Sequence, residues 1–147
     1  MPKALDLTKD FPRSPYAELD GYMWLPRLID KARACFAGTL GEYTPYPCGA
    51  DKRFIGAYGL DADALGEVIK SGASDEEIVA WVKANQKAMT AEEVAAFRQH
   101  QLKPITDEQM LAYFVPARDA AAPGRPEIDN WSKLIAVEEN HAIPASV

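Results

Sequence analysis

Apolar residues recur along most of the chain at the three- and four-residue spacings of amphipathic helices. In the stretch WLPRLIDKARACFAG, from Trp24 to Gly38, they form one stripe: Leu25, Leu28, Ile29, Ala32 and Phe36. Pro26 suits the first turn of a helix, and Gly38 suits its end. We interpret the charged residues on the other faces as a solvated, ion-paired surface, with a ligand-facing role as the alternative: Arg27, Asp30, Lys31 and Arg33.

Three octets that start sixteen residues apart share one arrangement of polar and apolar positions. They are SDEEIVAW from Ser74, TAEEVAAF from Thr90 and TDEQMLAY from Thr106. Each begins with a hydroxyl side chain that can cap a helix and has Glu or Gln three positions later to complete a capping box. The pattern predicts three successive short helices. We expect their apolar faces in the core, including Trp81, Phe97 and the set Met110, Tyr113 and Phe114.

The remaining segments add helices at the middle and the end of the chain. A helix near Asp51 runs through Phe54 and Tyr58, another runs from Asp61 to about Gly72, and a last one starts at about Asp129. Pro116 ends or kinks the third octet's helix. Pro12, Pro15 and a DGY turn within residues 1–24 predict an irregular arm packed on the body.

These segments together predict an all-α fold. No stretch alternates convincingly as a strand, and 147 residues with 48% hydrophobic content can bury one core. We therefore expect a single helical domain, residues 1–147, built from about seven short helices with an irregular N-terminal arm.

The net charge and the cysteines narrow the binding partners and the cellular location that the sequence allows. The net charge is −6, and residues 61–147 carry the acidic excess, so the chain is a poor match for nucleic acid. The two cysteines lack disulfide or zinc spacing, which indicates a reducing, cytoplasmic location. The N-terminus lacks the apolar core of a signal peptide, and no segment reaches transmembrane length, so we expect no membrane association.

Catalytic motifs are missing from the sequence. It contains no GxSxG, HExxH, P-loop or GxGxxG pattern, and its two histidines stand apart from one another. The acidic residues at the helix starts suit the positive end of the helix dipole, so we expect neither a metal site nor a cofactor.

The stretch GEYTPYPCGADKRF, from Gly41 to Phe54, interrupts the helical pattern. Pro45 and Pro47 keep the residues before them extended, so the segment predicts a stiff loop. Gly49 allows a sharp turn, and Asp51 then lies at or just before the start of the next helix.

Cys48 therefore lies close to a helix N-terminus. The helix dipole and the neighbouring Lys52 and Arg53 favour its thiolate form. The alternative is a small buried residue, since free cysteine is among the most buried residue types and no histidine lies nearby in sequence to act as a base.

Two functional hypotheses follow from this region. The first is binding, either of a small polar ligand at the junction of the first helix with the loop or of a second copy in a homodimer. Its candidate residues are Arg27, Asp30, Tyr43, Tyr46, Cys48, Asp51 and Arg53. The alternative is a thiol-dependent or acid/base enzyme centred on Cys48, Asp51 and Arg53. A purely structural protein whose exposed aromatic residues form a homodimer face is a third hypothesis.

Four segments carry a family resemblance: WLPRLIDKARA from Trp24, GEY with YPC within residues 41–48, SGASDEEIVAWV from Ser71 and GRPEIDNW from Gly124. Together they resemble the bacterial domain-of-unknown-function family 5069 over nearly the whole chain. The resemblance implies one intact single-domain member of that family. It implies no reaction, cofactor or substrate, so it assigns no catalytic residue. Thr44 and Pro45 lengthen the loop between GEY and YPC relative to the family pattern.

Overall fold

A computed structural model describes residues 2–147 of the chain, and within that range seven helices follow a short hairpin. The elements are β1 (Glu18–Leu19), β2 (Tyr22–Met23), α1 (Leu25–Ala37), α2 (Gly49–Ala57), α3 (Ala62–Lys70), α4 (Asp75–Asn85), α5 (Ala91–His100), α6 (Glu108–Ala121) and α7 (Trp131–Glu138). The mainly helical architecture confirms the all-α prediction.

Within residues 2–147, the hairpin is the one regular element that the hydrophobic pattern does not predict. Its strands are antiparallel, with Leu19 opposite Tyr22. Asp20 and Gly21 form the turn, and both have positive φ angles, of 52° and 85°. Positive φ at both central positions suits a tight hairpin turn. The predicted DGY turn is therefore present, but it joins two strands that are too short for alternation to be visible.

Local capping chemistry explains several helix ends. Gly38 follows α1 with a φ of 77°, and Asp61 caps α3 by accepting a hydrogen bond from the Ala64 N–H at 2.8 Å. At α4 the hydroxyl of Ser74 accepts from the Glu77 N–H, while the Glu77 carboxylate accepts from the Ser74 N–H, both at 3.1 Å. This capping box confirms the prediction from the first octet.

Other helix ends differ from the sequence-based prediction. Asp107, not Thr106, caps α6, because its carboxylate accepts from the Met110 N–H at 2.9 Å. Pro116 lies inside α6, which continues to Ala121. The last helix begins at Trp131 rather than at about Asp129, since the Asn130 side chain accepts from the Lys133 N–H.

The contacts divide the chain into two compact units. The first comprises the residues up to Arg13 together with Ala17–Thr90, and the second comprises Ser14–Tyr16 together with Ala91–Val147. The single-domain expectation for residues 1–147 stays a prediction.

Helix α1 forms the centre of the first unit. Leu25, Leu28 and Ile29 are fully buried, and the helix packs against α3 and β1. Phe54 of α2 packs beside Tyr58, with ring centroids 4.8 Å apart. The charged face of α1 is also covered, because three of its residues are at most 6% exposed: Arg27, Asp30 and Lys31. The interpretation of these three as a solvated surface is therefore wrong.

The second unit is built on the packing of α6 against α7. Its buried core contains Phe114, Ile128 and Leu134. The sequence predicts Met110 and Tyr113 beside Phe114 in the core, and this prediction is wrong, because the two residues are 45% and 76% exposed. Each residue along a helix is rotated by about 100° from the one before it. With Phe114 facing the core, Tyr113 therefore points towards solvent.

Among residues 2–147, no helix combines the length and the hydrophobicity that a membrane span requires.

Candidate functional site

Cys48 is the residue that caps the N-terminus of α2. Its backbone is extended, its Sγ accepts a hydrogen bond from the Asp51 N–H at 3.4 Å, and its own N–H donates to Asp51 Oδ2 at 3.0 Å. Pro47 and Gly49 flank it, as the predicted loop and turn require. Asp51 is fully buried and lies inside the helix at its third position, slightly later than predicted. The reciprocal bonds fix the sulfur at the helix start.

Lys31 of α1 reaches the same point from the neighbouring helix. Its Nζ donates to Cys48 Sγ at 3.0 Å and lies 3.8 Å from Asp51 Oδ2. The second carboxylate oxygen of Asp51 accepts from the indole Nε1 of Trp24 at 2.8 Å. The lysine side chain is only 5% exposed. We call these four residues the Lys–Cys cluster: Trp24, Lys31, Cys48 and Asp51.

Sequence analysis did not predict the part that Trp24 and Lys31 play in the cluster. The two lie seven positions apart, with Trp24 just before α1 and Lys31 midway along that helix. The lysine Nζ lies 5.8 Å from the centre of the tryptophan ring. Trp24 has a left-handed backbone with a φ of 77°, which helical spacing in the sequence does not predict.

Arg27 and Tyr43 lie together beside the cluster. The Arg27 guanidinium carbon is 5.7 Å from the ring centre of Trp24 and 5.8 Å from that of Tyr43. One guanidinium nitrogen of Arg27 also donates to the Arg13 carbonyl at 3.3 Å. Contact with two aromatic faces stabilises a buried cation. Arg27 therefore serves to hold the loop against α1.

Asp30 lies in a different set of contacts. Its carboxylate accepts from the Arg13 backbone N–H at 2.8 Å and from two guanidinium nitrogens of Arg13, each at 3.0 Å. Arg13 also contacts Asp75, which Arg33 holds from the other side at 3.0 Å. Burial acts to lower the pKa of Arg13, but hydrogen bonds and charges from Asp30 and Asp75 outweigh it and raise that pKa. This network ties the N-terminal arm to α1 and α4.

The last two predicted residues, Tyr46 and Arg53, are also outside the Lys–Cys cluster. The Tyr46 hydroxyl donates to the Ala62 carbonyl at 2.7 Å. Burial, together with nearby aspartates, raises the pKa of Tyr46, so its hydroxyl stays protonated at neutral pH. Arg53 is an exposed residue of α2. Of the seven predicted residues, the structure thus brings Cys48 and Asp51 into direct contact and places Arg27 with Tyr43.

The cluster brings two sources of positive charge to the Cys48 sulfur. Lys31 places a positive charge against the sulfur, and the N-terminus of α2 adds its partial positive charge. Within the described residues, no group of three or more His, Cys, Asp or Glu side chains is arranged to hold a metal ion. The functional groups that the cluster offers for chemistry are a thiol, an amine and a carboxylate.

These features define a mainly helical protein with a buried Lys–Cys cluster between its first two helices. The model of the family described as Domain of unknown function (DUF5069) matches residues 9–141, and the chain belongs to that family. The match confirms the resemblance found in the sequence and includes the whole cluster. A comparison with curated proteins found no match.

Proposed function

We propose that the protein carries out thiol-dependent chemistry at Cys48, with Lys31 as the positive partner of the sulfur. The observation that carries this proposal is the 3.0 Å contact between Lys31 Nζ and Cys48 Sγ at the N-terminus of α2. A neighbouring ammonium group and a helix N-terminus are the two environments that favour a nucleophilic thiolate.

The burial of the two partners supports a reactive role over a packing role. Cys48 is a partly exposed residue at the surface end of the pair, whereas Lys31 is almost fully buried; the proposal requires a small electrophile to reach the sulfur from that side. Burying an ammonium group is costly unless an anion accompanies it. Asp51 supplies one anion at 3.8 Å, but the sulfur is the nearer acceptor.

The proposal can be tested by alkylation kinetics in a Cys35→Ser background, which leaves Cys48 as the sole thiol of the chain. We expect Cys48 to react with iodoacetamide at pH 7 on the order of tenfold faster than a free thiol such as glutathione. We expect Lys31→Met to slow the reaction by about the same factor, because the charge next to the sulfur is lost.

Lys52→Met is the matched control. Lys52 is exposed on α2 and adjacent in sequence to Asp51, so its removal changes the net charge equally without touching the sulfur contact. It should leave the alkylation rate within about twofold of the parent. Labelling of Cys48 only after denaturation, or equal rates for the Lys31 and Lys52 variants, contradicts the proposal.

The ligand-binding hypothesis has less support from the same geometry. The carboxylate of Asp30 is occupied by Arg13, the hydroxyl of Tyr46 by a backbone carbonyl, and the carboxylate of Asp51 by Trp24 and a backbone N–H. A polar ligand would have to displace these bonds. A small-molecule site at this junction stays a prediction.

Self-association is the second candidate function, and a separate observation favours it. Met110, Tyr113 and Trp131 of the second unit are each more than a third exposed, and the Trp131 indole N–H donates to the Met110 sulfur at 3.3 Å. Large exposed apolar side chains that lie together are typical of an interface. A second copy of the chain is the partner that we propose for this surface.

We also infer a reducing, cytoplasmic location. Both cysteines are free, and a thiol kept available for chemistry requires an environment that does not oxidise it permanently. Bacterial origin likewise stays a prediction.

A further inference from the structure

We propose that hydrogen peroxide converts the Lys–Cys cluster to a covalently closed form in which Cys48 Sγ is bonded to Lys31 Nζ. The inference rests on the proposed function, because it requires a reactive Cys48 thiolate. It goes further by naming the oxidant, the product and the residue that traps the oxidised sulfur.

The geometry selects Lys31 as the trapping group. Its nitrogen is 3.0 Å from the sulfur, and the two residues are seventeen positions apart on separate helices. Cys48 forms no disulfide. Because the lysine is only 4% exposed, its amine faces the sulfur rather than bulk water. Cys48 is the more exposed residue of the pair, so we expect the oxidant to meet its sulfur first, with the Lys31 amine beside the oxidised product.

The chemistry balances in two steps. The Cys48 thiolate attacks one peroxide oxygen, the O–O bond breaks, and the sulfenic acid forms while the departing hydroxide takes a proton from the Lys31 ammonium group to give water. The neutral Lys31 amine then attacks the sulfur. The S–O bond breaks, and the leaving hydroxide takes a proton from the nitrogen. Thiolate, ammonium and one peroxide thus give an S–N bond and two waters, and the sulfur loses two electrons.

Closure changes both the charge and the mobility of the site. The ion pair becomes a neutral link, so the fully buried Asp51 loses its positive neighbour at 3.8 Å. The link also joins α1 to the start of α2. A small thiol reverses it: two equivalents reduce the S–N bond, restore the thiol and the amine, and are themselves oxidised to a disulfide. The cluster is therefore a reversible modification site.

Mass spectrometry of the full chain in the Cys35→Ser background tests the proposal. After treatment with dilute hydrogen peroxide, we expect the intact mass to fall by about 2 Da and to return on addition of dithiothreitol. Tryptic digestion should yield one linked species that contains both Lys31 and Cys48. A gain of about 16 Da, with a sulfenic acid that dimedone captures in full, overturns the S–N link but leaves the reactive thiolate of the proposed function intact.

Lys31→Arg separates the two proposals. The guanidinium group keeps the positive charge beside the sulfur, but it is a very weak nucleophile. We expect this variant to accumulate sulfenic acid, which dimedone captures, and to form no link. Lys52→Arg is the control and should close as the parent does. If Lys31→Arg does not fold, the tryptic map of the oxidised parent tests the proposal by itself. A link between Cys48 and Lys31 supports it. A link from Cys48 to any other amine, or the absence of a link, contradicts it.

Discussion

Asp51 is a fully buried carboxylate, and both of its oxygens have partners. One accepts from the Trp24 indole at 2.8 Å, and the other accepts from the Cys48 N–H at 3.0 Å and faces Lys31. Asp51→Ala leaves a buried ammonium and a buried indole N–H without this acceptor. We expect it to lower the free energy of unfolding by about 3–5 kcal/mol, measured by urea denaturation.

Asp61→Ala is the matched control for that loss. Asp61 also makes a capping hydrogen bond, to the Ala64 N–H at 2.8 Å, but it is exposed and begins the next helix. Its removal should cost about 1 kcal/mol, the ordinary contribution of a helix cap. If both variants lose the same amount, Asp51 acts only as a capping residue, and the buried charge contact contributes nothing measurable.

The sequence reveals half of this cluster. Prolines and a glycine around Cys48 predict an extended loop and a turn, which correctly bring Cys48 and Asp51 to a helix start. Lys31 is missed because helical periodicity assigns it to a charged face, and such faces are usually solvated. Whether a loop then covers that face depends on contacts between distant residues, which hydrophobic spacing does not report.

At the scale of elements, charged contacts attach the N-terminal arm to two helices. Arg13 pairs with Asp30 of α1 and Asp75 of α4. Partial burial acts to raise the pKa of Asp75, but hydrogen bonds and charges from Arg13 and Arg33 outweigh it and hold that pKa below its ordinary value. A carboxylate with a lowered pKa stabilises the folded state at every pH at which it is ionised. The attachment of the arm to α4 through Asp75 therefore weakens in acid.

Asp75→Asn should therefore destabilise the protein in a pH-dependent way. The stabilisation from Asp75 is complete above the ordinary carboxyl pKa of about 3.9 and is lost as the pH falls through the lower pKa of the folded state. Because the Asp75 side chain is a quarter exposed, we expect a deficit of only about 1 kcal/mol at pH 7. Chemical denaturation at a series of pH values from 7 to 2 measures how the difference in unfolding free energy between Asp75→Asn and the parent decreases.

Glu76→Gln provides the control for that titration. Glu76 neighbours Asp75 in the first turn of α4 and is exposed, so both variants lose a charge near the same helix N-terminus. Its deficit should stay within a few tenths of a kcal/mol at every pH. A deficit for Asp75→Asn that persists unchanged at pH 2 would mean that shape, rather than charge, is what the substitution disturbs.

Helix positions are the part of the fold that the sequence predicts best. Capping needs only neighbouring residues, which is why Ser74 and Asp61 mark real helix starts. Pro116 shows where local rules fail. Proline ordinarily breaks a helix, but α6 continues past Pro116 and packs against α7. The exposure of Tyr113 has a related cause: two adjacent aromatic positions compete for one face, and only the three-dimensional core determines which is buried.

At the scale of the whole molecule, the acidic excess and an exposed apolar surface fall in the same part of the chain. The acidic excess falls in residues 61–147, which include the second unit with its exposed Met110, Tyr113 and Trp131. Net repulsion between two copies opposes association, and it weakens as salt shortens the range of the charges. An apolar interface there should consequently be favoured by salt.

We expect the protein to form a symmetric homodimer through this surface, with the dimer fraction rising with salt concentration. Multi-angle light scattering at several protein and salt concentrations measures it. Met110→Lys together with Tyr113→Lys should yield a monomer, since burying lysine ammonium groups in an apolar interface is costly. Phe11→Lys is the control, because Phe11 is 51% exposed in the first unit and should leave the dimer intact. A monomer at every concentration, or a dimer that only Phe11→Lys disrupts, contradicts this assignment.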